Sequence, residues 1–214
     1  HKINSGVALI LGNNESPMNY PANGYHFRQD SNFSYFFGLN LANLAGVIDF
    51  DEGKQIIFCN DVDIEDIIWM GPQPMMKDLG EKVGITDTRP FGELEAYLKK
   101  AQDAGRKVHY LPPYRHDNMI LLHKLLGVSF DEMKANASEE LIKEVVELRA
   151  IKDDAEIRDL ERASDIGYKM HMKAFQMARP GLVEQEICGA MEGIAYQYGQ
   201  GPSFPIILSV RGET

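Results

Sequence analysis

Ala45-Gly46-Val47-Ile48-Asp49-Phe50, then Asp51-Glu52-Gly53, then Lys54-Gln55-Ile56-Ile57-Phe58-Cys59 is the stretch on which the fold turns. Two runs with β-branched and aromatic residues flank a triplet containing Asp and Gly, which reads as a β-hairpin. Upstream, Val7 to Leu11 is a short apolar run closed by Gly12-Asn13-Asn14, a buried strand and its turn. Residues 12–26 are rich in Asn, Gly and Pro and read as loop, and Phe33 to Phe37 is an aromatic cluster ending at Gly38. Downstream, Leu94 to Ala104 has helical spacing at Leu94, Tyr97, Leu98 and Ala101 and stops at Gly105. Lys107 to Leu111 reads as a strand broken by Pro112-Pro113. Asn118 to Leu126 reads as a helix with Ile120, Leu121 and Leu125 on its apolar stripe and His123 near it. Strands alternate with helices, so the expected fold class is α/β, a sheet layered with helices. There is no repeat at solenoid period.

The character changes near residue 138. Glu139 to Arg149 reads as a helix with Leu141, Val145 and Leu148 on one face and acids in its first turn, where the helix dipole favours them. Asp153 and Glu156 form a D-x-x-E start signal for a long helix. Its apolar face runs through Ile157, Leu160, Gly167, Met170, Ala174 and Met177 to the stop at Pro180-Gly181. Val183 to Tyr198 repeats the pattern, and Phe204 to Val210 reads as a strand. One strand and two amphipathic helices cannot close a core, because a strand needs ladder partners and a covered face. Each large apolar side chain is worth roughly 1.5–3 kcal/mol when buried. The expectation is therefore one domain over residues 1–148 and, over 149–214, the opening of a second domain that the chain cuts short.

Hydrophobic residues make up 44% and charged ones 25% of the 214 residues, enough for a core. The net charge of -10, from 32 acids and 22 bases without a basic cluster, argues against nucleic acid as a partner. No apolar run reaches the ~18–20 residues of a membrane span, so no membrane partner is expected. No signal peptide is visible, although the chain begins at His1 and a leader could precede it. Cys59 and Cys188 belong to no C-x-x-C pair and read as two buried free thiols in a reducing compartment, hence a cytoplasmic location.

Metal-ligand patterns are missing. His1, His26, His109, His116, His123 and His171 form neither H-x-x-x-H nor H-E-x-x-H, and His171 reads as a surface or interface residue. Asp61, Asp63, Glu65 and Asp66 cluster without the glycine and glutamate of a calcium loop, so they read as a solvated acidic face. Gly199-Gln200-Gly201 is followed by proline and is no phosphate loop. Trp69, the single tryptophan, stands between Ile67-Ile68 and Met70-Gly71 before a Pro-Gln-Pro loop. It is either a core anchor or a projecting aromatic for ligand or subunit contact.

Tyr25-His26-Phe27-Arg28-Gln29-Asp30-Ser31-Asn32-Phe33-Ser34-Tyr35-Phe36-Phe37-Gly38-Leu39-Asn40 closely resembles the signature of the aminopeptidase P N-terminal domain. Ile68-Trp69-Met70-Gly71 is similar to that domain's tryptophan segment. Glu147-Leu148-Arg149 with Lys152, Glu156-Ile157 and Ala163 looks like the linker and first helix of the catalytic domain, and Arg179-Pro180-Gly181 like the turn before its second helix. The resemblance, to the aminopeptidase P, prolidase and creatinase family, implies a mixed sheet flanked by helices. It further implies an incomplete "pita-bread" α+β metallopeptidase domain after it. Such enzymes hold two metal ions, usually manganese, on Asp, Asp, His, Glu and Glu, and release the residue that precedes proline. Peptides with proline second are the implied substrates, a homo-oligomer the implied assembly, and Trp69 the implied substrate contact. The chain departs from the family pattern in one respect: no Asp follows Asp165 and no His follows His171. No catalytic or metal-ligating residue is therefore expected within it, and alone it is expected to be inactive. Prolidase, which cleaves dipeptides, and a non-catalytic aminopeptidase-like protein-binding domain are the alternatives.

Overall fold

Strand β1 (Val7–Leu11) is buried at every residue but its last, which places it inside a sheet with both faces covered. The computed structural model describes residues 3–211. They fall into two compact units, His1–Leu148 and Arg149–Thr214. In the first, β1 pairs antiparallel with β2 (Ala45–Asp49) from Val7↔Asp49 to Leu11↔Ala45. The expected hairpin joins β2 to β3 (Lys54–Cys59), again antiparallel. Strands β4 (Asp87–Pro90) and β5 (Val108–Tyr110) add in parallel at the two edges, giving the order β4-β3-β2-β1-β5.

Alternation along the strands sorts side chains into two cores. Ala8, Ile10, Ile57 and Cys59 face one layer. Across it stand Phe33 and Phe37 of α1 (Ser31–Phe37), Met76 of α3 (Met76–Lys82), and Leu141 and Val145 of α6 (Glu139–Ala150). Val7, Leu9, Val47, Ile56 and Phe58 face the other layer. There they meet Leu94, Leu98 and Ala101 of α4 (Leu94–Asp103) and Leu122 and Leu125 of α5 (His116–Leu126). The fold is thus the α/β layering expected, with a mixed sheet. Gly46 is required where α1 meets β2, because a Cβ there would lie 2.1 Å from the Phe37 ring.

The α5 stripe is rotated: Asn118, Leu122 and Leu125 are buried at i, i+4 and i+7, while Ile120 faces solvent. His123 is also exposed and stacks on Phe130 at 4.8 Å. In α6, Leu148 is exposed although Leu141 and Val145 are buried. Cys188 is only half-buried, whereas Cys59 is buried and its thiol is pushed up to about 11 by that burial and by Asp61. Helices α2 (Ile64–Met70) and α3, of seven residues each, and strand β4, of four, are too short for a period to be read from sequence.

The second unit pairs α7 (Asp154–Met177) with α8 (Glu184–Tyr198). Asp153 caps α7 through the N–H groups of Ala155 and Glu156, and Glu156 returns the bond to Asp153. This is the capping box that the D-x-x-E signal predicts. Helix α8 buries Ile187, Met191 and Ala195, yet α7 buries no residue, and Ile157 and Leu160 of its expected apolar face are exposed. Residues 204–210 are not a strand. Among the described residues they have no ladder partner, Phe204, Ile207 and Val210 face solvent, and the Val210 N–H bonds to the Glu184 carboxylate at 3.2 Å.

Candidate functional site

Helix α2 is seven residues held by its ends. The Asp63 carboxylate accepts from the Asp66 N–H at 2.9 Å, Asp66 accepts from the Asp63 N–H, and Gly71 closes the C-terminus. Asp61 accepts from the Met76 N–H at 2.6 Å and so starts α3. The acidic cluster is exposed, as expected, but its members cap two helices, which a short helix without core contacts needs.

The side chains on α2 are unusual. None is buried, and Ile64, Ile67, Ile68, Trp69 and Met70 are all exposed. Trp69, at 82% exposure, is not a core anchor; nor does it stand in a loop, being the sixth residue of the helix. Its ring and the neighbouring isoleucines form an apolar surface, with one indole N–H as its only polar handle. Such a surface suits stacking on an apolar side chain or a proline ring.

The motif at residues 25–40, by contrast, holds the fold. Gln29 is buried, and its Oε1 accepts from the N–H groups of Asn13 at 2.7 Å and Asp30 at 2.9 Å. Its Nε2 donates to the Leu41 and Leu39 carbonyls at 2.6 and 3.4 Å. One amide thus ties the turn after β1 to the segment after α1. Asp30 caps α1 through the N–H groups of Asn32 and Phe33. Phe33 and Phe37 then stack in the core at 5.1 Å, and Gly38 takes the left-handed conformation that ends the helix. Beside this staple, at the carboxyl ends of β1 and β5, lies a crevice of about 60 Å³ bordered by Asp30, Tyr114 and Asn118.

Among the described residues the histidines assemble no catalytic group. His109 Nδ1 lies 2.7 Å from Ser138 Oγ, but both residues are buried and Ser138 accepts the Leu141 N–H at the start of α6. Burial, with Lys107 nearby, holds the His109 pKa below the ordinary histidine value. His171 is exposed, its Nδ1 2.8 Å from the Gly167 carbonyl within α7, and His1 lies outside the described residues. Among the described residues no three His, Cys, Asp or Glu side chains group as a metal ion requires. They do not fit a manganese site.

Known proteins place this arrangement. Residues 1–110 match the family described as "Aminopeptidase P, N-terminal domain". The human Xaa-Pro dipeptidase is 26% identical over 200 residues, covering 92% of this chain and 40% of that protein. The Escherichia coli Xaa-Pro aminopeptidase is 28% identical over 193 residues, covering 86% of this chain and 44% of that protein. The chain therefore spans well under half the length of these relatives. Among solved structures, zinc-substituted E. coli aminopeptidase P in complex with product superposes with a TM-score of 0.72 at 23% identity, over 92% of this chain and 47% of that one. The low-pH form of the same enzyme gives 0.71. At such identity the structures speak for the fold. With half of its residues matched to the family and the signature's glutamine and aspartate stapling the fold, this chain belongs to the aminopeptidase P N-terminal domain family.

Proposed function

We propose that this chain is the N-terminal part of a metal-dependent Xaa-Pro peptidase that releases the residue preceding proline, and that Trp69 is its contribution to substrate binding. The observation that carries the reading is the exposure of Trp69 on a helix that buries none of its side chains. A protein gains nothing in folding from an apolar surface left in water, so its use lies in contact with something else. Residues 1–148 are the N-terminal domain in this reading, and 149–214 open a catalytic domain whose metal ligands, for manganese, lie in protein beyond these residues. By itself the chain is then inactive. A homo-oligomer in the cytoplasm completes the proposal.

The test is an Xaa-Pro peptide assay with added manganese on this chain and on the full-length protein. Turnover by the latter alone is expected; turnover by the isolated chain would overturn the reading. The human relative's name favours a second possibility, a dipeptidase. A series of Xaa-Pro peptides of increasing length separates the two: an aminopeptidase retains activity on the longer members, and a dipeptidase loses it after the first.

A further inference from the structure

Asn23 is the only asparagine in the sequence that glycine follows, and its setting exposes it to attack by its own backbone. The loop between β1 and α1 folds on itself as a narrow ribbon. Met18 N–H donates to the Asn23 carbonyl at 2.8 Å and Tyr25 N–H to the Ser16 carbonyl at 2.9 Å. Those two bonds bracket the Pro17↔Gly24 bridge, so Pro17 and Gly24 face each other as a pair that exchanges no hydrogen bond. The Gly24 N–H consequently donates to no group among the described residues. The Asn23 side chain has one tether, an exposed bond from Nδ2 to Asn19 Oδ1 at 2.8 Å. Glycine adds no side chain to hinder approach to the neighbouring amide.

We propose that Asn23 is a site of spontaneous deamidation, a chemical timer built into this loop. The Gly24 amide nitrogen loses its proton to solvent base and attacks Asn23 Cγ. The N–Cγ bond forms, the Cγ–Nδ2 bond breaks, and the side-chain amide departs as ammonia, leaving a five-membered succinimide. Water then opens the ring at either carbonyl, giving aspartate or the β-linked isoaspartate. No oxidation state changes.

Both products undo local structure. A carboxylate at residue 23 sets an acceptor against Asn19 Oδ1, where an amide donor stood. The isoaspartyl link adds a backbone atom and takes the Asn23 carbonyl out of register with Met18. Ser16, next to the bridge, is held by Arg115 Nη2 at 2.7 Å, which also donates to the Asn14 carbonyl at 3.1 Å. The loss, at Met18, therefore begins two residues from Ser16, whose contact with Arg115 fastens this loop to the start of α5.

The folded chain is incubated in mildly alkaline buffer, then mapped by protease digestion and mass spectrometry, with isoaspartyl methyltransferase as the probe of the β-linked product. The expected result is conversion at Asn23 ahead of every other asparagine, faster at higher pH because the attacking nitrogen must be deprotonated. Gly24→Ala is the control. Gly24 is not in the left-handed region, and an added Cβ would meet only the Ser16 carbonyl oxygen, at an ordinary 3.7 Å. That variant should fold and convert several-fold more slowly. An Asn23 that stays intact in the folded chain while converting in urea would overturn the proposal, as would equal rates in Gly24→Ala.

Discussion

Asp49 and Arg106, 57 residues apart, form an ion pair that fastens the end of β2 to the turn between α4 and β5. The Asp49 carboxylate is fully buried, also accepts from the Tyr97 hydroxyl, and takes the Glu52 N–H at 2.9 Å. Arg106 reaches Asp51 as well, at 2.6 Å, and Asp51 accepts the Gly6 N–H at 2.9 Å. The hairpin loop, the first strand and the fourth helix thus meet on one cluster of charges.

Burial alone would raise the Asp49 pKa, but bonds from Tyr97, Glu52 and Arg106 outweigh it and hold the group below its ordinary 3.8. A carboxyl depressed in the folded state binds its proton more readily when unfolded. Its contribution is complete above the ordinary value and is lost as pH falls through the folded one. Urea unfolding across acid pH should show this loss in the parent and a flatter profile in Asp49→Asn. Arg106→Met, which leaves the carboxylate without its cation, should cost about 2–4 kcal/mol at neutral pH, since water can reach part of the vacated site.

His109 predicts a second, milder window. Its pKa is lowered from 6.5, chiefly by burial, so the unfolded chain takes up the proton first. Stability should be complete above 6.5 and decline as pH drops below it toward the folded value. His109→Gln keeps a hydrogen-bonding group beside Ser138 and cannot titrate. Its midpoint of urea unfolding should hold steady over the range where the parent's falls.

Trp69→Ala in the full-length protein should change stability by no more than about 0.5 kcal/mol, as for other surface substitutions. A buried aromatic such as Phe37, truncated to alanine, should cost about 3–5 kcal/mol. On longer Xaa-Pro peptides Trp69→Ala should raise KM or lower kcat. Paired melting curves and steady-state kinetics check both halves, and a large drop in Tm with unchanged kinetics would make Trp69 a structural residue.

Hydrogen exchange should divide the chain. Amides of β1, β2 and β3, in strands covered on both faces, should exchange slowest, near the global opening limit. Those of α7, which buries none of its side chains, should exchange faster, through local opening. Equal protection in a dilute monomer would contradict this.

Local chemistry was legible in the sequence wherever one run of residues specifies it. The 45–59 hairpin, the Asp153–Glu156 cap and the stop at Gly38 or Gly105 need only neighbours along the chain. Alternating strands and helices then restricted the fold to layers, and the 25–40 motif pointed to the family. What tertiary structure alone decided is which way each surface faces. Helix α5 turns Asn118 inward and Ile120 out because Leu122 and Leu125, on the Asn118 face, pack into the core with Leu94 and Leu98 of α4, which no periodicity within eleven residues records. Phe204 to Val210 has the composition of a strand but no partner among the described residues, and pairing is a property of two segments. Trp69 could have been core or surface, since apolar residues in a seven-residue helix fit either. Only the placement of α2 by its capping acids, away from both cores, left the ring in water.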